Sequence, residues 1–208
     1  MLNKTVPSER LETELRAAGY TAICGVDEAG RGPLSGPVVA AACILPAGCV
    51  IEGLNDSKKL TPKQRDRLFD TVREVAVAYS VGQASPEEID ELNILNATML
   101  AMRRAIEGLP VKADFALIDG NCARGIDLPH KTVISGDALS VSISAASILA
   151  KVTRDRICLD NDRDYPEYGF AKHKGYGTKD HMDALRRLGP CPLHRRSFLK
   201  FLSEDETK

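Results

Sequence analysis

The sequence predicts an α/β protein whose sheet mixes antiparallel and parallel strands, and three observations lead there. A chain of 208 residues, 43% hydrophobic and 27% charged, is long enough for one domain with a full core and too short for two large ones. Aromatics make up only 5% and Trp is absent, so the core must be filled by Val, Ile, Leu and Ala, the usual packing of a sheet covered by helices. Apolar runs of strand length alternate with helical patterns, and the rhythm of that alternation changes between the two halves of the chain.

Residues 8–18 predict a short amphipathic helix ahead of the core, with Ser8 as N-cap, Leu11 and Leu15 on one face and Gly19 as its stop. Apolar runs over 23–28 and 37–45, separated by GRGPLSG, and a Val- and Ala-rich run over 75–81 predict three strands whose connections permit antiparallel pairing. Between the second and third, LNDSKKL leads into a helix opening at Thr61-Pro62, where Pro suits the first helical position. Ser85-Pro86-Glu87-Glu88 opens another helix, continued by residues 94–106 and ended by Gly108.

The second half reads strand, loop, strand, helix: 115–118 ending at Asp119-Gly120, 131–134 ending at Gly136-Asp137, then a long helix over about 139–159. That order predicts parallel strands in the same sheet. Ala145, Ala146 and Ala150 would let the long helix lie close against it. Beyond Asp160 a Gly-, Pro- and Tyr-rich segment precedes short helices over 179–188 and 196–202. The expectation is one domain over 1–208, within which about 161–203 forms a helical, basic subdomain.

Net charge is -1, which argues against a protein coated in nucleic acid, yet the average conceals an asymmetry. Lys172, Lys174, Lys179, Arg186, Arg187, Arg195, Arg196 and Lys200, with His173, His181 and His194, face only Asp180 and Asp183. The six cysteines lack a C-x-x-C pair and sit in apolar contexts, as buried thiols of a reducing compartment do. The charged start MLNKTVPSERLETEL has no apolar stretch for a signal peptide, and no later run could span a bilayer. The expected location is the cytoplasm.

Four acids fall where predicted strands end: Asp27 and Glu28 after the first, Asp119 after the fourth, Asp137 after the fifth. Ligands collect at the carboxyl ends of parallel strands, and carboxylates converging there repel unless a cation neutralises them. Oxygen ligands without histidine suit Mg²⁺ or Mn²⁺ rather than Zn²⁺. Two such ions can align a water and a leaving oxygen for phosphoryl transfer. Taken singly, Asp119-Gly120 and Gly136-Asp137 also read as turn residues. Asp27-Glu28 is harder to dismiss, because strand neighbours point to opposite faces, which argues against a capping role for both, while a turn starting at Ala29-Gly30 could swing both toward one cation. Gly30 and Gly32 flank Arg31 and leave backbone amides open to a phosphate or sugar.

The strings CGVDEAGRGPLSGPVVAAACIL, NDSKKL, LIDGN, GDALSVSISAASILAKVTRD and YPEYGFAKHKGYGTKDH, ending at HRRSF, cover the chain from about Tyr20 to Phe198. In that order they closely resemble the bacterial type 2 ribonuclease H family. The resemblance implies a ribonuclease H-like fold: a mixed five-stranded sheet flanked by helices, with a C-terminal helical subdomain. It implies metal-binding acids at Asp27, Glu28, Asp119 and Asp137, and a glycine-arginine-glycine element at Gly30, Arg31 and Gly32 that reads the ribose 2′-hydroxyl. It also implies a tyrosine, Tyr176, that stacks on the sugar following the ribonucleotide. Lys58 and Lys59 fall where phosphates could be met, or on a solvated surface. Tyr165 and Tyr168 read as packing residues, and Asp155 either supports the site or pairs with Arg154 or Lys151. The short segment before Tyr20 favours type 2 over the type 3 enzymes with their additional domain.

The implied activity is cleavage of the RNA strand of RNA/DNA hybrids and incision 5′ to a ribonucleotide embedded in duplex DNA, leaving 3′-hydroxyl and 5′-phosphate ends. Mg²⁺ or Mn²⁺ would serve as cofactor, the chain would act as a monomer, and the basic stretch would meet the duplex backbone. Two other readings fit less well. A sugar-kinase-like phosphotransferase needs a second nucleotide-binding half, and a duplex-binding accessory protein would be handicapped by four acids.

Overall fold

The computed structural model describes residues 6–55, 57 and 60–205. Its five-stranded sheet has the order β3-β2-β1-β4-β5. The strands are β1 (Ile23–Ala29), β2 (Val38–Ile44), β3 (Ala78–Ala84), β4 (Phe115–Asp119) and β5 (His130–Val133). β1 pairs antiparallel with β2 and β2 with β3, whereas β4 runs parallel to β1 and β5 parallel to β4. The carboxyl ends of β1, β4 and β5 therefore lie at one edge, where the sequence puts its acids.

Alternation along β2 divides the core. Ala40 and Ala42 face α3 (Pro86–Glu107), packing with Ala97, Ala101, Met102 and Ala105. Ala41 and Cys43 face the other way, toward α2 (Pro62–Val75) and α4 (Val141–Asp164), where Ala145, Ala146 and Ala150 are fully buried. A Cβ at Gly25 would lie 2.0 Å from the Ser142 backbone. Only glycine lets the start of α4 press this closely on β1. Leu11 and Leu15 of α1 (Arg10–Ala17) pack beside Ile23, Phe115 and Ile143, as expected.

Several boundaries differ from expectation. Ser8 does not cap α1; the N-cap is Glu9, whose side chain makes no capping bond, and Ser8 instead bridges to Ser140. The third strand lies three residues later than predicted, because α2, opened by a Thr61/Gln64 capping box, runs on through Val75. Val and Ala fit either state, and the register from Ala78 opposite Ile44 to Ala84 opposite Val38 decides. α3 opens with a Ser85/Glu88 capping box and kinks at Asn93 (φ 66°), whose side chain accepts from the N–H groups of Leu95 and Asn96 and restarts the helix. β5 stops at Val133, leaving Ile134 largely exposed, and Asp137 sits in a 3₁₀ turn, Gly136–Ala138. α4 starts at Val141 and continues to Asp164.

Beyond α4 come α5 (Phe170–His173), α6 (Lys179–Leu188), the 3₁₀ turn Arg196–Phe198 and α7 (Lys200–Asp205). They share a separate apolar cluster of Tyr168, Phe170, Ala184, Leu185, Cys191 and Leu199. Tyr165 packs against it and meets Tyr168 edge-on, so both tyrosines are packing residues. The six cysteines are unpaired, four of them buried.

Candidate active site

The parallel register sets Val26 opposite Ile118, which brings Asp27, one residue on, level with Asp119. Carboxylate oxygens of Asp27, Glu28 and Asp119 lie within 4.8 Å of one another. The turn expected from the sequence at Ala29-Gly30 is not what brings the first two together. β1 stays paired with β2 through Glu28 and Ala29, and the Asp27 carboxylate instead folds back to accept the Glu28 N–H at 2.7 Å. Asp119 accepts the Gly136 N–H at 2.6 Å, which ties the turn carrying Asp137 to the cluster. Asp137 is buried but does not join the three-carboxylate group.

Burial, followed by the neighbouring charges of Glu28 and Asp119, pushes the Asp27 carboxyl well above its usual range. Ser147 opposes this by hydrogen-bonding to Asp27, and Ser57 meets Ser147 at 3.0 Å. Three carboxylates without histidine or thiol form a hard oxygen donor set. A divalent cation fits it and would relieve its repulsion.

A cavity of about 330 Å³ opens beside the acids, walled by residues 27–32, Ser57, Ser147 and Tyr176. Gly30 has φ +99°, and a Cβ there would collide with the Arg154 side chain at 2.0 Å. At Gly32 a Cβ would stand 3.6 Å from the Tyr176 ring. The glycine-rich loop and the KGYGT loop are joined directly, Leu34 N–H donating to Gly175 O at 2.8 Å. Tyr176 leaves 47% of its surface exposed. The Arg31 guanidinium, half exposed, stands 3.4 Å from Glu28. Lys58 and Lys59 lie outside the described residues. Arg65 donates to Ser57 O and Leu60 O. Asp155 pairs with Lys151 at 2.6 Å, the ion-pair alternative, while Arg154 turns elsewhere.

Sequence reasoning missed two buried arginines. Arg154 donates to the carbonyls of Ser35, Pro37 and Lys174. Arg195 donates to Gly30, Arg31, Pro33 and Gly36. Together they clamp the glycine-rich loop from within. Arg195 was expected among surface cations; it is 0% exposed, because the loop supplies more carbonyls than it can pair by itself. His173, His181 and His194 are buried too. Cys191 donates to His194 Nδ1, His194 Nε2–H donates to His181 Nε2 at 3.0 Å, and His181 Nδ1–H ends on Tyr176 O at 3.0 Å. One proton per ring satisfies this chain, so His181 and His194 carry no charge to a substrate. Lys174 is half-buried, and Lys172, Lys179, Arg186, Arg187, Arg196 and Lys200 remain on the surface.

A carboxylate cluster at the carboxyl edge of a mixed sheet, with a glycine-rich loop beside it, defines a nuclease of the ribonuclease H class that works with a divalent metal. The family model "Ribonuclease HII" matches residues 24–201. Ribonuclease HII of Desulfitobacterium hafniense (strain Y51) is 58% identical over 201 residues, covering 94% of this chain and 77% of that one. Its counterpart from Syntrophotalea carbinolica is 54% identical over 187 residues, covering 90% of both. The crystal structure of ribonuclease H2 from Pyrococcus horikoshii OT3 superposes with a TM-score of 0.73 at 28% identity, over 90% of this chain and all of that one. The chain belongs to the ribonuclease HII family, and it is a ribonuclease H endonuclease acting on nucleic acid.

Proposed function

We propose that the enzyme recognises the junction between a ribonucleotide and the DNA that follows it, incising on its 5′ side, and that it also cleaves the RNA strand of RNA/DNA hybrids. The observation that carries this reading is that Gly32 and the Tyr176 ring wall one cavity with Asp27 and Glu28, a Cβ on Gly32 reaching to 3.6 Å from that ring. Gly30, Arg31 and Gly32 present backbone to the 2′-hydroxyl, and the Tyr176 ring stacks on the next sugar, where a deoxyribose fits. Asp27, Glu28, Asp119 and Asp137 would hold Mg²⁺ or Mn²⁺, as two ions. Held there, the cations would supply positive charge for hydrolysis of the phosphodiester. Ser147 orients Asp27, and Arg154 and Arg195 keep the loop rigid so that the phosphate is held in line. Products carry 3′-hydroxyl and 5′-phosphate ends.

Lys58, Lys59, Arg186 and Arg187 would meet backbone phosphates. Residues from about 161 to 203 act as a helical, basic subdomain of one catalytic domain over 1–208, a division supported by their separate apolar cluster. The chain would act as a monomer. Among the described residues no helix is long and apolar enough to cross a membrane. A nucleic-acid substrate supports a cytoplasmic location.

The test compares Tyr176→Ala and Tyr176→Phe on a one-ribonucleotide DNA duplex and on a continuous RNA/DNA hybrid, with each metal. Tyr176→Ala should lose cleavage of the single-ribonucleotide duplex disproportionately, in kcat as well as kcat/KM, while Tyr176→Phe keeps most activity. Equal losses on both substrates, with a lowered melting temperature, would return Tyr176 to a packing role.

A further inference from the structure

Asp137, the acid outside the three-carboxylate group, rides on a turn that the amino-terminal segment holds from behind. On the site side the turn is fixed by the Gly136 N–H donated to Asp119. On the far side Ser8 supplies both backbone partners: its N–H donates to Leu139 O at 3.2 Å, and Val141 N–H donates to its carbonyl at 3.3 Å. One turn along, Glu12 is 2% exposed. Its Oε1 accepts the Ser142 N–H at 3.1 Å, the Ser142 hydroxyl at 2.6 Å and the Ser140 hydroxyl. Ser140 Oγ in turn accepts the Ile143 N–H at 3.2 Å and caps α4. The other Glu12 oxygen, Oε2, has no hydrogen-bond partner among the described residues. A buried carboxylate with one oxygen unpaired costs stability. An apolar side chain would serve the packing of α1 better, so the value of Glu12 must lie in what Oε1 holds.

We propose that Glu12 is a positioning residue for the metal site. Through Ser140 and Ser142 it fixes the start of α4, and with it the three-residue span back to Asp137. The inference rests on reading Asp137 as the fourth metal-site acid. Groups that orient a ligand without touching the metal typically change affinity or activity about 10- to 100-fold when removed.

The experiment measures Mn²⁺ affinity by calorimetry for the full chain, Glu12→Ala, Glu12→Gln, Asp137→Asn and the Glu12→Ala/Asp137→Asn double variant. Amide exchange over residues 136–143 and melting temperature are recorded alongside. Glu12→Ala should bind Mn²⁺ about 10-fold more weakly or worse, with faster exchange over that span. Glu12→Gln, which keeps an acceptor oxygen, should recover part of the loss. Adding Glu12→Ala to Asp137→Asn should weaken binding no further, since both act through one carboxylate. If Glu12→Ala does not fold, Glu12→Asp, one methylene shorter, is read in the same way. Wild-type Mn²⁺ affinity and cleavage in Asp137→Asn would overturn the role of Asp137 and this inference with it. Weakened binding in Asp137→Asn, together with unchanged binding and a lowered melting temperature in the folded Glu12 variant, would overturn the inference alone. So would full additivity in the double variant.

Discussion

The carboxyl edge of the sheet and the C-terminal helices both bury titratable groups, and they treat them in opposite ways. At the sheet edge, Asp27 shares its site with Glu28 and Asp119 within 4.8 Å, and burial with like charge pushes its carboxyl well up. In the helical part, Arg195 directs its donors to four carbonyls, and His181 and His194 are neutral links in a hydrogen-bonded chain. Burial, followed by the charge of Arg154, lowers Arg195 to about 9, so it stays protonated at neutral pH. Buried charge that is left in mutual repulsion marks a place for a ligand, whereas buried charge fully bonded to backbone marks scaffolding. Substitution should therefore separate the two regions, activity failing at one and stability at the other.

The largest effect is expected at the acids. Asp27→Asn and Asp119→Asn should each lower cleavage by more than about 100-fold in Mg²⁺ while the protein remains folded. Near-normal turnover in a steady-state assay would remove that residue from the metal site. Arg195→Ala should behave in the reverse manner. With four carbonyls left unpaired inside the loop, urea unfolding should report a loss of about 3 kcal/mol, and any fall in activity should follow loosening of Gly30–Gly32.

A smaller effect concerns pH. Burial lowers His194 to about 4 and also lowers His181. Above the ordinary histidine value of about 6.5, native and unfolded chains are both neutral at these rings, and the stability is fully present. As pH falls from about 6.5 toward 4, the unfolded chain takes up protons that the native chain refuses, and stability is lost through that window. Unfolding free energies at pH 7.5 and 5 should show a steeper fall for the wild type than for His194→Gln. Equal slopes would place the acid sensitivity elsewhere.

The same contrast explains what could be read in advance. Asp27, Glu28 and Asp119 were legible because parallel strand order sends their ends to one edge, a property of the chain's sequence of elements. Tyr176 entered only through family resemblance, since a tyrosine between two glycines fits packing equally well. The basic stretch misled at Arg195 and the histidines, because local composition favours a solvated face and only the tertiary fold brings a carbonyl-rich loop against them. Ser147 and Ser57 gave no signal. A serine on a helix facing a sheet is indistinguishable from a filler until the aspartate it meets is in place. The third strand was misplaced by three residues because Val and Ala suit helix and strand alike, and pairing with β2 settled the register.

The central claim is that the acids at the sheet edge are arranged for a cation at the expense of the metal-free protein. Melting temperatures of wild type and Asp27→Asn, each measured with EDTA and with saturating Mn²⁺, test it most directly. Without metal, Asp27→Asn should melt at or above wild type, since one repulsive carboxylate is gone. With metal, wild type should gain stability, about 2.7 kcal/mol at a concentration one hundred times Kd, and the variant should gain little of it. A variant that melts well below wild type in EDTA, and gains as much from Mn²⁺, would contradict the claim.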